Sequence, residues 1–212
     1  MQTKRELRFY NRVVKRGIDI FLAALISLLL LPILVILVLA IKLDSRGPVL
    51  FHQRRTGLDK KEFSILKFRT MRIDTPHDVP THLLSDPNQY ITRMGRFLRK
   101  TSLDELPQLW NILVGEMSFV GPRPALWNQY DLIAERDKYR ANQVRPGLTG
   151  WAQINGRDEL EIEDKARFDG VYVENLSFLF DLKCFFGSVT YVLGRRGVVE
   201  GGTGEMKREK KQ

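Results

Sequence analysis

The chain has 212 residues, a formal net charge of +9 and one cysteine, and 43% of it is hydrophobic. A lone cysteine excludes an internal disulfide and permits a reducing compartment. The length suits one short membrane element plus one compact domain of roughly 150 residues, and the basic balance calls for an anionic partner: nucleic acid, anionic lipid or a phosphate-bearing substrate.

Residues 1–19 read as a basic amphipathic helix lying on lipid headgroups, with Leu7, Val13, Val14 and Ile18 facing the lipid. Residues 20–41 follow as a run of 22 without a charge, 17 of them Leu, Ile, Val or Phe. As a helix this run would reach roughly 33 Å, enough for a hydrocarbon core of about 30 Å, and its insertion is favoured by about 7 kcal/mol before polar terms. It is too long for a signal peptide and no small-residue cleavage site follows it. Beside such a segment the membrane surface is the favoured anionic partner, at about 1 kcal/mol per basic residue near anionic lipid, and nucleic acid is set aside.

The flanks give no orientation. Lys4, Arg5, Arg8, Arg12, Lys15 and Arg16 precede the run; Lys42, Arg46, Arg54, Arg55, Lys60 and Lys61 follow it. A spanning helix keeps its basic residues on one side. Two readings stand: a re-entrant segment whose ends are both cytoplasmic, and a single-pass anchor with a kink. Pro32 supplies the break, since it removes the amide that would bond the Leu28 carbonyl, and Ser27 is placed to satisfy part of the freed backbone.

Ser45-Arg46-Gly47-Pro48 marks a turn. Residues 49–53 and 63–70 read as strands joined by a loop with Gly57 and Asp59. Residues 74–89 read as a surface loop in which His77 and His82 are solvated rather than metal ligands. Helices are expected over 91–100, 103–114, 126–140, 159–173 and 178–193, with a Gly-rich loop at 145–157. The last helix is strongly apolar but carries Asp181 and Lys183, which places it in the membrane interface. Residues 199–212 read as a disordered basic tail. The expected division is 1–42, the basic segment and re-entrant helix; 43–198, a catalytic domain on the cytoplasmic face; and 199–212, the tail. The expected fold class is α/β, a small antiparallel sheet surrounded by helices.

Lys100-Thr-Ser-Leu-Asp-Glu-Leu-Pro-Gln-Leu-Trp110 carries the strongest chemical signal. Ser102 and Glu105 stand in capping-box spacing, and Pro107 suits a first helical turn, so the helix is expected to start between Ser102 and Asp104. Asp104 and Glu105 would then sit at the positive end of a helix dipole. Such a pair could hold a hard cation such as Mg²⁺, and one member could attack phosphorus; ordinary helix capping is the plainer reading. In Gly121-Pro122-Arg123-Pro124 two prolines present one guanidinium at low entropic cost, which suits phosphate; a rigid corner with a solvated arginine is the alternative. Arg145-Pro-Gly-Leu-Thr-Gly-Trp-Ala-Gln-Ile-Asn-Gly-Arg157 offers close backbone approach with Gln153 and Asn155 to read a base or sugar edge, and matches neither standard nucleotide motif.

These segments in this order resemble the monotopic phosphoglycosyl transferases, the bacterial sugar transferase family that starts polyprenol-linked glycan assembly. The resemblance runs from about Val14 to Val198 on PVLFHQRRTG, FSILKFRTMR, RKTSLDELPQLWN, GEMSFVGPRP, RPGLTGWAQINGR and YVENLSFLFDLK. It implies transfer of a phosphosugar from a UDP-sugar to a polyprenol phosphate, usually undecaprenyl phosphate, with release of UMP. It makes Asp104 the nucleophile that forms a covalent phosphosugar intermediate, Glu105 its partner, and Mg²⁺, held by the two carboxylates, the cofactor. Arg123, Arg157 and Arg99 fall where the family binds phosphate or nucleotide; Arg145, Gln153 and Asn155 join them as candidate binding residues. The resemblance also implies a re-entrant helix at the cytoplasmic face of the bacterial inner membrane. Many relatives carry Ser directly before the helix-breaking proline, where this chain has Leu31. The chain resembles the minimal form of the family, which leans towards modified amino sugars, although nothing in it separates these from glucose or galactose. A homo-oligomer is left open. Two competing readings remain: a sugar-only transferase releasing UDP, and a non-catalytic adaptor whose basic face binds anionic lipid.

Overall fold

The computed structural model describes residues 9–75, 89–156 and 160–193. The tail at 199–212 and the histidines His77 and His82 lie outside the described residues.

The amphipathic start and the first half of the apolar run form one helix, α1 (Tyr10–Leu29), wound as a π-helix over Tyr10–Val14. This corrects the expectation of a separate surface helix ending at residue 19. A second helix, α2 (Leu31–Asp44), follows at 64° to the first. Leu30 is the break, with φ −87° and ψ −1°. Pro32 sits in the first turn of α2, where an amide is not needed. The break is closed by backbone bonds: Leu30 N–H donates to Ile26 O at 2.9 Å and Leu34 N–H to Leu30 O at 2.8 Å. Ser27 makes no side-chain hydrogen bond among the described residues, so the break does not use it. Among the described residues no single helix is long and apolar enough to cross a membrane; this bent pair is the candidate by length and composition. Around the bend Leu28, Leu29 and Leu31 are 70%, 67% and 54% exposed, a group of exposed apolar side chains of the kind that marks an interaction site.

The bent pair is fastened to the rest of the chain at both ends. Ala23 of α1 enters the main core, and Leu37 and Ile41 of α2 pack with Phe68 and Leu98 in a second cluster. Strands β1 (Leu50–Thr56) and β2 (Glu62–Phe68) form an antiparallel hairpin with Leu50 opposite Phe68 and Thr56 opposite Glu62. Its loop turns through Asp59 and Lys60 at φ 51° and 61°. Helix α3 (Arg93–Thr101) is capped by Thr92, whose side chain accepts from Gly95 N–H. Helix α4 (Gln108–Val114) packs under β2, with Leu109 and Ile112 in the main core beside Phe63 and Ile65.

The expected sheet is thus present, and it has company. Strand β3 (Ser118–Val120) pairs in parallel with β4 (Gly147–Thr149), Ser118 opposite Gly147 and Val120 opposite Thr149. A Cβ on Gly147 would collide with the Gly121 amide, so only glycine lets these strands approach. The segment expected as a Gly-rich loop therefore holds β4 and a short helix, α6 (Trp151–Ile154). Helices α5 (Tyr130–Lys138) and α7 (Ile162–Glu174) are joined by a buried ion pair, Arg136 Nη2 to Asp169 Oδ2 at 2.6 Å. Helix α8 (Phe178–Leu193) closes the core with Cys184. Its Asp181 is buried within the protein, 2.6 Å from Lys15 Nζ.

Candidate active site

The carboxylate pair does not open a helix. Ser102 ends α3 in a left-handed conformation at φ 56°, its N–H bonded to Arg99 O, with no side-chain cap of its own. Leu103–Glu105 is a single 3₁₀ turn, and α4 starts only at Gln108, after Pro107. The capping box expected from Ser102 and Glu105 is absent because Ser102 is used to close the preceding helix. The turn still gives the pair irregular backbone, which lets adjacent residues serve one site rather than point about 100° apart.

Glu105 Oε1 accepts from Lys67 Nζ at 2.8 Å and lies 3.5 Å from Arg123 Nη2. All three side chains are partly buried, so this arrangement is screened less than a surface pair. Asp104 beside it is half-buried, and its carboxyl is pushed above the ordinary carboxylate range. Burial is the main cause; the Glu105 charge adds to it, while Lys67 and Arg99 oppose it. Arg99, in the last turn of α3, is oriented by a 2.9 Å bond from Nε to Thr70 Oγ1. Three cations thus surround two carboxylates. The excess of positive charge favours an anionic ligand, and a half-buried carboxylate favours one that brings a cation with it.

Each element has a reason to hold its group here. Asn111 of α4 docks that helix under β2: its Oδ1 accepts from Leu66 N–H at 3.0 Å and its Nδ2 donates to Ser64 O at 2.8 Å. That clamp brings the turn before α4 up to Lys67. The Pro-Arg-Pro corner leaves β3 and is tied on both sides. Gly147 N–H donates to Pro122 O at 2.9 Å, Arg55 Nη1 to Pro124 O at 3.0 Å, and Thr56 N–H to Ala125 O at 2.9 Å.

Arg145 Nε donates to Gly115 O at 3.0 Å, and Arg16 Nη2 to Leu113 O at 2.7 Å, so both cap the negative end of α4, opposite the carboxylate turn. Gln153 is buried on α6, with its Oε1 unpaired and its Nε2 3.4 Å from Leu148 O. Asn155 bonds Trp151 O at 2.8 Å within its own turn. Arg157 lies outside the described residues. Sequence reasoning missed Lys67 and Gln108. The signal for Lys67 was alternation: Phe63, Ile65 and Lys67 share one face of β2, and a lysine continuing an inward-facing run asks for a partner. Gln108, 2% exposed with its Nε2 unpaired, lies one turn after the dyad.

A family model described as bacterial sugar transferase matches residues 10–195. The chain belongs to the bacterial sugar transferase family. The Escherichia coli (strain K12) protein named UDP-glucose:undecaprenyl-phosphate glucose-1-phosphate transferase is 47% identical to it over 84% of this chain and 40% of its own length. The Erwinia amylovora protein named UDP-galactose-lipid carrier transferase is 39% identical over 88% of this chain and 42% of its own length. The Bacillus subtilis (strain 168) protein named uncharacterized sugar transferase EpsL is 41% identical over 88% and 90% respectively. The chain therefore spans about two fifths of the relatives whose names state a substrate. The stretch carrying Lys67, the Asp104–Glu105 turn and the Arg123 corner falls inside the matched sugar transferase region.

Proposed function

We propose that this sugar transferase moves a phosphosugar from a UDP-sugar to a polyprenol phosphate such as undecaprenyl phosphate, in two steps through an acyl phosphate on Asp104. The single observation that carries the reading is the placement of half-buried Asp104 beside a Glu105 that already engages Lys67 and faces Arg123. In the first step a carboxylate oxygen of Asp104 attacks the sugar-bearing phosphorus. The bond from that phosphorus to the bridging oxygen breaks, and UMP leaves with the electron pair. In the second step a phosphate oxygen of the lipid acceptor attacks the same phosphorus and releases the carboxylate. Phosphoryl transfer needs mainly alignment and neutralisation of oxygen charge. Arg123 and Arg99 supply positive charge, while Lys67 holds Glu105 and lowers the cost of ionising Asp104.

Among the described residues there is no group of three or more His, Cys, Asp or Glu fit to hold a metal. The donor set of Asp104 and Glu105 fits Mg²⁺ when substrate phosphates complete the shell, as this ion often requires. Bound there, Mg²⁺ would neutralise charge on the phosphate oxygens.

The bent α1–α2 pair with its exposed leucines supports a re-entrant segment, both ends on the cytoplasmic face of the bacterial inner membrane. A water-soluble donor and a lipid acceptor can then meet one carboxylate in turn. The relatives named for glucose and galactose make UDP-glucose and UDP-galactose the first donors to try, with N-acetylated amino sugars beside them. The experiment is a UDP-sugar panel with undecaprenyl phosphate in nanodiscs, scored by nucleotide. UMP release is expected with at least one donor; UDP release would mean sugar-only transfer, and no turnover with any donor would leave a lipid-binding adaptor.

A further inference from the structure

The Pro122-Arg123-Pro124 corner continues directly from β3, and β3 is held by buried polar groups that the chemistry above does not use. Asp19, on the membrane helix α1, is 3% exposed. Its Oδ1 accepts from Ser118 Oγ at 3.1 Å and from Phe119 N–H at 3.1 Å. Tyr172, on α7, is 1% exposed. Its hydroxyl lies 3.0 Å from Val120 O and 2.8 Å from Asp181 Oδ1, one proton serving two acceptors. Asp181 Oδ2 in turn receives Lys15 Nζ and Tyr10 Oη, each at 2.6 Å, both from α1. One connected set of bonds therefore runs from the membrane helix to the three residues that precede Gly121.

Burying a carboxylate is costly, and apolar packing of the same volume often serves stability as well or better. What the carboxylate adds is direction: a charge-assisted bond to a backbone amide fixes that peptide's position and tilt. Asp19 fixes the first half of β3 and Tyr172 its last carbonyl. Arg123 begins three residues after Val120 on a proline-stiffened corner with little freedom to absorb a shift. A small misplacement of a phosphate-binding group is expensive in binding and in rate.

We propose that Asp19 and Tyr172 are positioning residues for Arg123, so that phosphate binding depends on α1 being seated against β3. The inference rests on the reading of Arg123 as a phosphate ligand, and its test separates the two. Full-length chain in nanodiscs is titrated calorimetrically with UDP, using Tyr172→Phe, Asp19→Ala and Asp19→Asn, each alone and combined with Arg123→Lys. Tyr172→Phe and Asp19→Ala are expected to weaken UDP about tenfold in the wild-type background and not further beside Arg123→Lys. Asp19→Asn, which keeps an acceptor oxygen, is expected to restore near wild-type affinity. Tyr172→Phe carries the test if Asp19→Ala fails to fold. Unchanged UDP affinity with a lowered melting temperature, or the same tenfold loss in both backgrounds, would overturn the inference. A wild-type chain that does not bind UDP, or an Arg123→Lys chain that binds it as well as wild type, would overturn the phosphate reading first and the inference with it.

Discussion

Lys67 acts on two carboxylates in different ways. It bonds Glu105 directly at 2.8 Å, and through space it holds down a carboxyl on Asp104 that burial pushes up. A raised acid destabilises the fold once ionised. Below the ordinary carboxylate range it is protonated in both states and contributes nothing; as pH rises from its unfolded value to its raised folded value, the unfolded chain gives up the proton before the native chain does, and the full penalty stands above that window. In chelator and without nucleotide, Asp104→Asn should therefore melt above wild type near neutral pH, a gain that shrinks as pH falls towards about 4. Because the nucleophile must be ionised, the rate should rise with pH across that acid limb. Lys67→Met removes the largest group opposing the shift and should move the limb to higher pH, which initial rates over a pH series would read. Cys184 offers a contrast: burial, with the Asp181 charge behind it, pushes its thiol to about 12. It should resist a maleimide at pH 8 in the folded chain and react after denaturation.

Asn111 makes the element scale visible. It is 1% exposed and bonds Leu66 N–H, Ser64 O and Glu116 Oε2, pinning α4 beneath β2. Asn111→Ala leaves Leu66 N–H and Ser64 O of a half-buried strand without this partner and should cost about 2 kcal/mol of stability in a denaturant titration, with activity falling as the carboxylate turn separates from Lys67. None of this could be read from spacing, since the bonds join residues some 45 positions apart in the chain. What sequence did expose were features with a local cause. The bend at Pro32, the β1–β2 hairpin and α8 follow from proline chemistry and apolar periodicity. The helix start failed because two explanations compete for Ser102, and tertiary context gave it to the end of α3. The short β3–β4 pair hid inside a glycine-rich stretch, where three-residue strands carry too little pattern to detect. In the candidate site, Asp104, Glu105 and Arg123 stand out by their motifs; Lys67, marked only by its alternation on β2, joins them once the Asn111 clamp docks α4 under the hairpin.

For the whole molecule, the bent pair is joined to the carboxylate site at two places: α2 packs on α3 through Leu37, Ile41 and Leu98, and α1 reaches β3 through Asp19. Seating the apolar bend in one leaflet would hold the Asp104 turn near the headgroups, where a lipid phosphate can reach it. Single cysteines introduced into a Cys184→Ala chain at Arg12 and at Arg46, on either side of the bend, should label from the same face of the membrane. Labelling from opposite faces would require α1 and α2 to straighten into a span. The acyl phosphate on Asp104 is open to intact-mass spectrometry after incubation with a reactive UDP-sugar, without lipid acceptor. Wild type should gain the mass of one phosphosugar with one UMP released per adduct, and Asp104→Asn should gain nothing. An adduct on Asp104→Asn, or turnover by a wild type that never carries one, would contradict an acyl phosphate on Asp104.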